Sequence, residues 1–211
     1  MASSTPPRHY SIIFVLGPPG SGKGTLCKLA TNRLEASGHH YQHLSVGDYL
    51  RKISASELPC EAGSFDCHMI SESIRNNKLL PSQALIPLLD HKLSSATDHN
   101  SSPAVWLIDG FPRNMETTLV FEEKIGKPEK VIVLECTHDS AQRRYLGRAR
   151  EKIDDVNRFE KRYSDYVENM NAIREHYKGV IETVCVDGSR EASFAKFLTV
   201  LSPTPAEQDR I

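Results

Sequence analysis

The 211-residue sequence has no long apolar run and no excess of charge of either sign. A membrane-spanning helix needs about 20 consecutive apolar residues, and no segment approaches that length. The formal net charge of −1 argues against a general nucleic-acid-binding protein, because such proteins are usually basic. The N-terminal segment MASSTPPRHYS lacks the apolar core of a secretory signal and the arginine-rich pattern of a transit peptide. We therefore expect a cytoplasmic protein, with the nucleus as the alternative, that binds neither membranes nor nucleic acid.

The sequence also lacks a recognisable metal-binding or catalytic pattern of cysteine and histidine. The cysteines are odd in number and form no C-x-x-C pair, which predicts reduced thiols at Cys27, Cys60, Cys67, Cys136 and Cys185. Cys60, Cys67 and His68 do not have the usual spacing of zinc ligands. The nine histidines form neither a metal pattern nor a triad, and His43, beside a predicted turn, is expected at the surface.

What the sequence does contain is a glycine-rich segment after a short apolar run, IIFVLGPPGSGKGT at 12–25. Five apolar residues in a row predict a buried parallel strand, and the turn after it fits G-x-x-x-x-G-K with Gly17, Gly22 and Lys23. Glycines let backbone N–H groups point at a phosphate, and the next helix presents the positive end of its dipole. The alternative is a strand, turn and helix without a ligand, but the lysine favours a phosphate-binding loop.

Segments with strand and helix patterns alternate along the chain. Besides 12–16, apolar runs predict strands at 41–44, 104–108, 130–134 and 180–186. Apolar spacing of three to four residues predicts helices at 22–37, 65–76, 82–95, 114–124, 157–178 and 191–201, one that opens at Gly47-Asp48 and one that begins near Asp139. This alternation predicts an α/β fold, a parallel sheet with helices on both faces, with a single domain at 11–201 between flexible tails at 1–10 and 202–211.

Polar residues follow the predicted strands, at the edge where such sheets bind ligands. Asp109 ends the strand in WLIDGFPR and can face a phosphate-bound magnesium ion directly or through water; a helix N-cap or turn residue is the alternative. Arg113 follows a turn that Pro112 stiffens, and its guanidinium can hold a phosphate at two points. A solvent-exposed surface arginine is the alternative for this residue.

Basic residues crowd the next part of the chain although the net charge is near zero: Arg143, Arg144, Arg148, Arg150, Lys152, Arg158, Lys161 and Arg162. Arg144 and Arg148 share a helix face. A solvated face paired with nearby acids is the simple alternative. Transfer of a phosphoryl group between two nucleotides gathers many negative charges, and fixed positive charges stabilise its transition state. The density of arginines therefore favours phosphoryl transfer.

These motifs resemble those of the adenylate kinase and UMP/CMP kinase family of nucleoside-monophosphate kinases, in its short-lid form. GPPGSGKGT is similar to the family loop GxPGxGKGT, in which a glycine, here Gly24, replaces the Ser or Thr that binds magnesium in other phosphate-binding loops. HLSVGDYLR, NNKLLP and WLIDGFPRN resemble HLSxGDLLR, GKxVP and LIDGFPR of the family. The resemblance extends from about residue 11 to residue 201.

The resemblance implies a role for each matching residue. ATP would contact Gly17, Pro19, Gly20, Ser21, Gly22, Lys23, Gly24, Thr25, Arg144, Arg148 and Gly188. The acceptor nucleotide would contact Ser45, Val46, Arg51, Leu80, Gly110, Arg113, Thr117 and Arg162. Catalysis would depend on Lys23, Arg113, Arg148, Lys152 and Arg162. Magnesium, the expected cofactor with ATP, would be held by Asp109 through water, with Thr25 as a second candidate.

Two regions depart from the family pattern. The lid is shorter than usual, and Lys152 stands where the family has an arginine; a lysine cannot hold a phosphate at two points, although Arg150 can substitute. At the acceptor base, Thr117 replaces the glutamine of adenylate kinases or the asparagine of pyrimidine kinases, and Val46 replaces their threonine or alanine. Asn114 slightly favours UMP or CMP over AMP as acceptor.

The resemblance predicts the reaction MgATP + NMP ⇌ MgADP + NDP, carried out by a monomer. An acceptor-binding insert at about 45–80 and a lid at about 148–156 would close over the substrates to exclude water. The alternatives are a kinase for an unusual nucleotide or a small-molecule acceptor, and a non-catalytic nucleotide-binding module.

Overall fold

The computed structural model describes residues 10–55, 67–76, 78–95, 103–147 and 155–201. Within these ranges the chain forms five strands and eight helices. The strands are β1 (Tyr10–Leu16), β2 (Tyr41–Ser45), β3 (Ala104–Asp109), β4 (Lys130–Glu135) and β5 (Ile181–Cys185). The helices are α1 (Lys23–Glu35), α2 (Val46–Ser54), α3 (Cys67–Arg75), α4 (Ser82–Ser94), α5 (Met115–Lys124), α6 (His138–Gly147), α7 (Val156–His176) and α8 (Arg190–Leu201).

The five strands form one parallel sheet in the order β2-β3-β1-β4-β5. β1 is central, since Phe14 is opposite Ile108 of β3 on one side and Val131 of β4 on the other. Parallel strands need crossover connections, which the helices provide. The carboxyl ends of the strands therefore share one edge of the sheet, where Ser45 is opposite Asp109.

The core occupies both faces of the sheet, which explains why β1 is apolar throughout. Ile12 and Phe14 contribute to a cluster with α4, α5 and α7, whereas Ile13 and Val15 pack on the other face with α1 and α8. Alternate residues of a strand point to opposite faces, so a strand buried on both sides needs no polar alternation. Within the part of the chain that the structure describes, no helix combines the length and the apolar character needed to cross a bilayer.

The predicted α/β fold is confirmed, and each predicted strand and helix has its counterpart with ends that differ by a few residues. One start differs for a physical reason. α2 begins at Val46 instead of Gly47-Asp48, because Ser45 already takes the extended N-cap conformation at the end of β2. The tails and most of the predicted lid at 148–156 lie outside the described residues.

The prediction of reduced thiols is wrong for Cys67, which is disulfide-bonded at the start of α3. A disulfide depends on the approach of two Cβ atoms in space, which spacing in the sequence does not reveal. Cys27, Cys136 and Cys185 are free thiols, as predicted, and Cys60 lies outside the described residues.

Candidate active site

The loop between β1 and α1 has the geometry of a phosphate-binding loop. Gly20 has a φ of 83°, and a Cβ there would lie 2.0 Å from the carbonyl oxygen of Ala141, so only glycine fits. The Nζ of Lys23 donates to the carbonyl oxygens of Gly17 and Pro18 at 2.8 Å each. The ammonium group therefore lies at the loop and at the first turn of α1, where free N–H groups and the helix dipole favour an anion.

A cavity of about 680 Å³ opens at the carboxyl edge of the sheet. Most residues that the sequence assigned to the nucleotides or to magnesium line this one space. They are Gly17, Pro19, Gly20, Ser21, Gly22, Lys23, Gly24, Thr25, Ser45, Arg51, Asp109, Gly110, Arg113, Arg144, Arg162 and Gly188. The cavity is thus continuous from the phosphate loop to the residues assigned to the acceptor.

Three guanidinium groups from different segments lie close together in the cavity wall: Arg51 on α2, Arg113 after β3 and Arg162 on α7. Desolvation by the surrounding protein, together with the charges of Arg162 and Arg51, lowers the pKa of Arg113 to about 10, even though its guanidinium is open to the cavity. Arg113 is still protonated at neutral pH. Like charges that are held close together repel one another. The cluster of three guanidinium groups is therefore suited to bind a polyanion that neutralises them.

The contacts of these arginines fix their direction. The Nε of Arg113 donates to the carbonyl oxygen of Gly110 at 3.0 Å, which leaves the two terminal nitrogens for a ligand. Arg51 forms an ion pair with Asp48 on the same helix. Both arginines approach Gly47, where a Cβ would contact their guanidinium groups. That Cβ would lie 3.5 Å from the terminal nitrogens of Arg51 and 3.8 Å from one of Arg113, which are ordinary van der Waals distances.

Asp109 is buried at the end of β3 and is oriented by two residues of β2. Its Oδ2 lies 2.5 Å from the Nε2 of His43, and the hydroxyl of Ser45 donates to Oδ1 at 3.3 Å. His43 is not at the surface as expected: its side chain is 9% exposed, because β2 pairs with β3 and packs against α1. Oxygen ligands suit Mg²⁺, so a carboxylate fixed in the cavity wall, with Thr25 also in that wall, fits the expected ion.

Hydrogen bonds of side chains hold the wall on the side of β4 and β5. The guanidinium of Arg144 donates to the carbonyl oxygen of Gly188 at 3.1 Å, and Arg162 donates to the hydroxyl of Tyr145 at 3.4 Å. The carboxylate of Asp187 accepts from the backbone N–H of Thr137 at 2.9 Å, and this bond lowers the pKa of Asp187. The bonds of Arg144 and Asp187 fix the loops that follow the two strands, and the bond of Arg162 joins α7 to α6.

Three residues assigned to the acceptor do not line the cavity. Val46 and Leu80 are buried in the core, and it is the neighbouring Leu79 that reaches the cavity. Thr117 is buried on α5, where its hydroxyl donates to the side-chain oxygen of Asn114 at 2.8 Å. Their assigned contacts with a base are therefore not visible in the described cavity.

Two residues assigned to catalysis, Arg148 and Lys152, lie outside the described residues, as do Arg150 and Asp154. Asp155, which belongs to the predicted lid, is described and caps α7: its carboxylate accepts from the backbone N–H of Arg158 at 2.7 Å. This residue of the predicted lid therefore also stabilises the start of the helix that follows.

Sequence reasoning missed one wall of the cavity, the inner face of α7. Asp165, Tyr166, Asn169, Met170 and Ile173 line the cavity below Arg162. Their spacing from Arg162 repeats the three- to four-residue period of one helix face. That period was the signal available in the sequence. Once Arg162 is placed in a site, the residues one and two helical turns later are expected to face the same site.

Comparison with known proteins gives consistent results. The family model described as Adenylate kinase matches residues 15–181. UMP-CMP kinase 3 of Oryza sativa subsp. japonica is 36% identical over 190 residues, covering 88% of this chain and 82% of the relative. Uridylate kinase of Schizosaccharomyces pombe is 29% identical over 199 residues, covering 92% and 98%. Adenylate kinase isoenzyme 1 of Sus scrofa is 30% identical over 199 residues, covering 92% and 95%.

Proposed function

Because the chain belongs to the adenylate kinase family, we propose that it transfers the terminal phosphoryl group of ATP to a nucleoside monophosphate, with UMP or CMP as the preferred acceptor. The reaction is MgATP + NMP ⇌ MgADP + NDP. The observation that carries this proposal is the continuous cavity, in which a phosphate-binding loop and three clustered arginines face the same space. Two polyanions placed end to end need such a distribution of fixed cations.

On the donor side, the loop and Lys23 hold the phosphates of ATP. In the described structure the ammonium of Lys23 donates to loop carbonyl oxygens. It exchanges these bonds for bonds to phosphate oxygens when ATP binds, since charge-assisted bonds to an anion are stronger than those to a carbonyl. Arg144 and Gly188, which are joined by a hydrogen bond, form the part of the cavity wall that contacts the adenine of ATP.

On the acceptor side, Arg51 and Arg113 bind the phosphate of the monophosphate. Arg162 lies beside them and stabilises the charge that spreads over the transferring group. Arg148 and Lys152 add positive charge from the lid segment outside the described residues. Phosphoryl transfer between two phosphates needs little proton transfer. The protein therefore acts mainly by positioning the two nucleotides and by stabilising the negative charge of the transition state.

Magnesium, when bound with ATP, neutralises phosphate charge, and Asp109 would hold it through water, with Thr25 as a second candidate. The hydrogen bonds from His43 and Ser45 keep the Asp109 carboxylate in one orientation for that purpose. The segments at about 45–80 and 148–156 close over the substrates and exclude water, which would otherwise accept the phosphoryl group.

A panel of acceptors tests the proposal. AMP, CMP, UMP, GMP and the deoxy monophosphates are each supplied with MgATP, and kcat/KM is measured for diphosphate formation. We expect the highest values for UMP and CMP, because relatives of this chain include proteins named UMP-CMP kinase and uridylate kinase. Weak turnover of every common monophosphate would contradict the proposal.

A kinase for an unusual acceptor is the second candidate, and the α7 face motivates it. Thr117 is engaged with Asn114, whereas Asp165 and Asn169 present polar groups to the cavity. A site whose polar groups hydrogen-bond one ligand discriminates strongly against a ligand that leaves them unpaired. ATP-dependent phosphorylation of a modified nucleotide, with all common monophosphates inactive in the same panel, would favour this candidate.

A further inference from the structure

A thiol, an imidazole and a carboxylate converge beneath the cavity, and the proposed reaction leaves two of them without a direct role. Cys27 lies on α1, His43 on β2 and Asp109 at the end of β3. The potential ligand atoms of these three side chains all lie within 4.8 Å of one another. The group is shielded from solvent, with Cys27 fully buried and the side chains of His43 and Asp109 each 9% exposed.

The arrangement has the dimensions of a site for a transition-metal ion. Zinc bonds of about 2.0–2.3 Å to nitrogen, oxygen and sulfur place tetrahedral ligand atoms roughly 3.3–3.7 Å apart. The His43 and Asp109 atoms are closer than this, at 2.5 Å, and the widest separation in the group is below 4.8 Å. Shifts of about one ångström in side chains would therefore suffice to surround an ion with three ligands.

The donor atoms also favour one class of ion. A thiolate and an imidazole are soft or borderline ligands that prefer Zn²⁺ or Co²⁺, whereas Mg²⁺ takes oxygen ligands. The elements that carry the three residues are fixed by the sheet, since β2 pairs with β3 and α1 packs against β2. The ligands are thus held near one another before any ion arrives.

We propose that Cys27, His43 and Asp109 form a site for Zn²⁺ whose occupation inhibits the enzyme. The thiol of Cys27 loses its proton to solvent when the ion binds. His43 coordinates through Nε2 and carries its proton on Nδ1, and Asp109 contributes one carboxylate oxygen. No oxidation or reduction takes part. Asp109 lines the cavity while Cys27 and His43 lie behind it, so the ion enters from the nucleotide side.

Inhibition is expected because Asp109 would serve both the zinc site and the magnesium that is bound with ATP. This part of the inference rests on the proposed function. A carboxylate that is coordinated to Zn²⁺ no longer holds the water of the nucleotide-bound magnesium. Excess Mg²⁺ does not reverse the effect, because it does not compete for the thiolate and the imidazole. Binding of the ion itself does not depend on catalysis and is measured separately.

Cobalt absorption tests the site without an activity measurement. The full chain, free of thiol reductant, is titrated with Co²⁺, and the near-ultraviolet thiolate-to-cobalt band is recorded. We expect a band that saturates at one ion per chain and disappears in Cys27→Ser. His43→Gln should weaken binding by at least about tenfold, since even partners of ligands contribute factors of that size. Cys185→Ser, which removes an exposed free thiol, should keep the band.

The outcomes of this titration distinguish cobalt binding at the proposed site from cobalt binding at other thiols of the chain. A wild-type titration without a thiolate band overturns the site, whether or not the variants fold. A band that persists in Cys27→Ser or vanishes in Cys185→Ser also overturns it. Cys27→Ala is the second variant if the serine hydroxyl disturbs packing on α1. Thermal melting without metal checks that each variant is folded.

Zinc titration of the kinase assay tests the consequence. With MgATP in excess and free Zn²⁺ set by a metal buffer, we expect inhibition of the wild type and of Cys185→Ser. Cys27→Ser should keep its metal-free activity and need at least about tenfold more Zn²⁺ for half inhibition. Equal inhibition of Cys27→Ser and wild type would overturn the inhibitory role. Phosphoryl transfer absent from the metal-free wild type would instead overturn the proposed function and leave the cobalt result standing.

Discussion

Lys23 is the side chain whose loss should have the clearest effect on the chemistry. Its ammonium is already held at the loop by two carbonyl oxygens, so it needs no large movement to reach a phosphate. We expect Lys23→Ala to lose about 2.7–4 kcal/mol of transition-state stabilisation, or a factor of about 10²–10³ in kcat, as for other preorganised charge-stabilising groups. Steady-state kinetics with saturating ATP and acceptor measure this. Lys28→Ala, at an exposed position of the same helix, is the control, and near-normal turnover of Lys23→Ala would contradict the assignment.

Arg113 offers a more selective test, because a lysine keeps the charge but not the planar fork. Its Nε is bound to Gly110, so the two terminal nitrogens are the groups that can hold a phosphate at two points. We expect Arg113→Lys to raise KM for the acceptor and lower kcat while the Kd for ATP stays unchanged. Kinetics with varied acceptor and calorimetry with ATP give the two values. Arg33→Lys, in the last turn of α1, serves as the control, and an effect confined to ATP would show that Arg113 belongs to the donor side.

Single residues also show where sequence reasoning reaches its limit. Asp109 and Ser45 could be placed together, because the carboxyl ends of adjacent parallel strands always meet. Thr117 could not be placed, because its direction depends on the hydrogen bond with Asn114, which forms only when α5 begins there. The inward direction of His43 likewise depends on α1 covering β2. Chain order predicts which residues reach the edge, but local bonds decide which way they face.

Among the helices, α5 has a cap that connects stability to the site. The side-chain oxygen of Asn114 accepts from the backbone N–H of Thr117 at 2.9 Å and from its hydroxyl at 2.8 Å. We expect Asn114→Ala to lower the free energy of unfolding by about 1–3 kcal/mol, since a helix cap is lost and a buried hydroxyl loses one of its acceptors. Urea denaturation measures the change as a lower midpoint with an unchanged m-value.

The control for the cap is Asn32→Ala, an exposed asparagine inside α1. A substitution at such a position should change the free energy of unfolding by no more than about 0.5 kcal/mol. Equal changes in the two variants would mean that the cap of α5 has no special role. The result bears on function as well, because the cap directly follows Arg113 and fixes the direction in which the chain leaves the cavity.

Helices and strands were predictable where their apolar period is strong. β1, β3 and β4 are runs of apolar residues buried on both faces, and the structure extends them by at most two residues. The inner face of α7 was not predicted, although its period was visible, because a polar helix face facing a cavity has the same composition as one facing solvent. Asp165 and Asn169 are polar in either case. Only the fold around them distinguishes the two situations.

For the molecule as a whole, the cluster of Arg51, Arg113 and Arg162 predicts that a ligand occupying both nucleotide sites stabilises the folded chain against thermal unfolding. A bisubstrate analogue, two nucleosides linked through a polyphosphate, neutralises both ends of the cavity at once. At a hundred times its Kd it should add about 2.7 kcal/mol and raise Tm by roughly 5–11 °C for a chain of this size. Differential scanning fluorimetry measures the shift. High salt should weaken it by screening.

ATP alone and the unphosphorylated nucleosides are the references for that measurement. At equal concentration we expect ATP to raise Tm less than the analogue, because it brings no phosphate to Arg51 and Arg113. The nucleosides should have almost no effect. If ATP and the analogue stabilise the protein equally when both are present at moderate, unsaturating concentrations, the acceptor side does not take the second nucleotide as proposed.

The central place of β1 in the sheet has a consequence for how such a protein can change over time. In the proposed reaction, Arg51 and Arg113 of the acceptor side follow β2 and β3, while Arg144 and Gly188 of the donor side follow β4 and β5, on opposite sides of the shared loop. Insertions or exchanges on one flank leave the register of the other intact. We therefore expect acceptor choice to diversify between descendants of one ancestor more readily than the machinery for ATP.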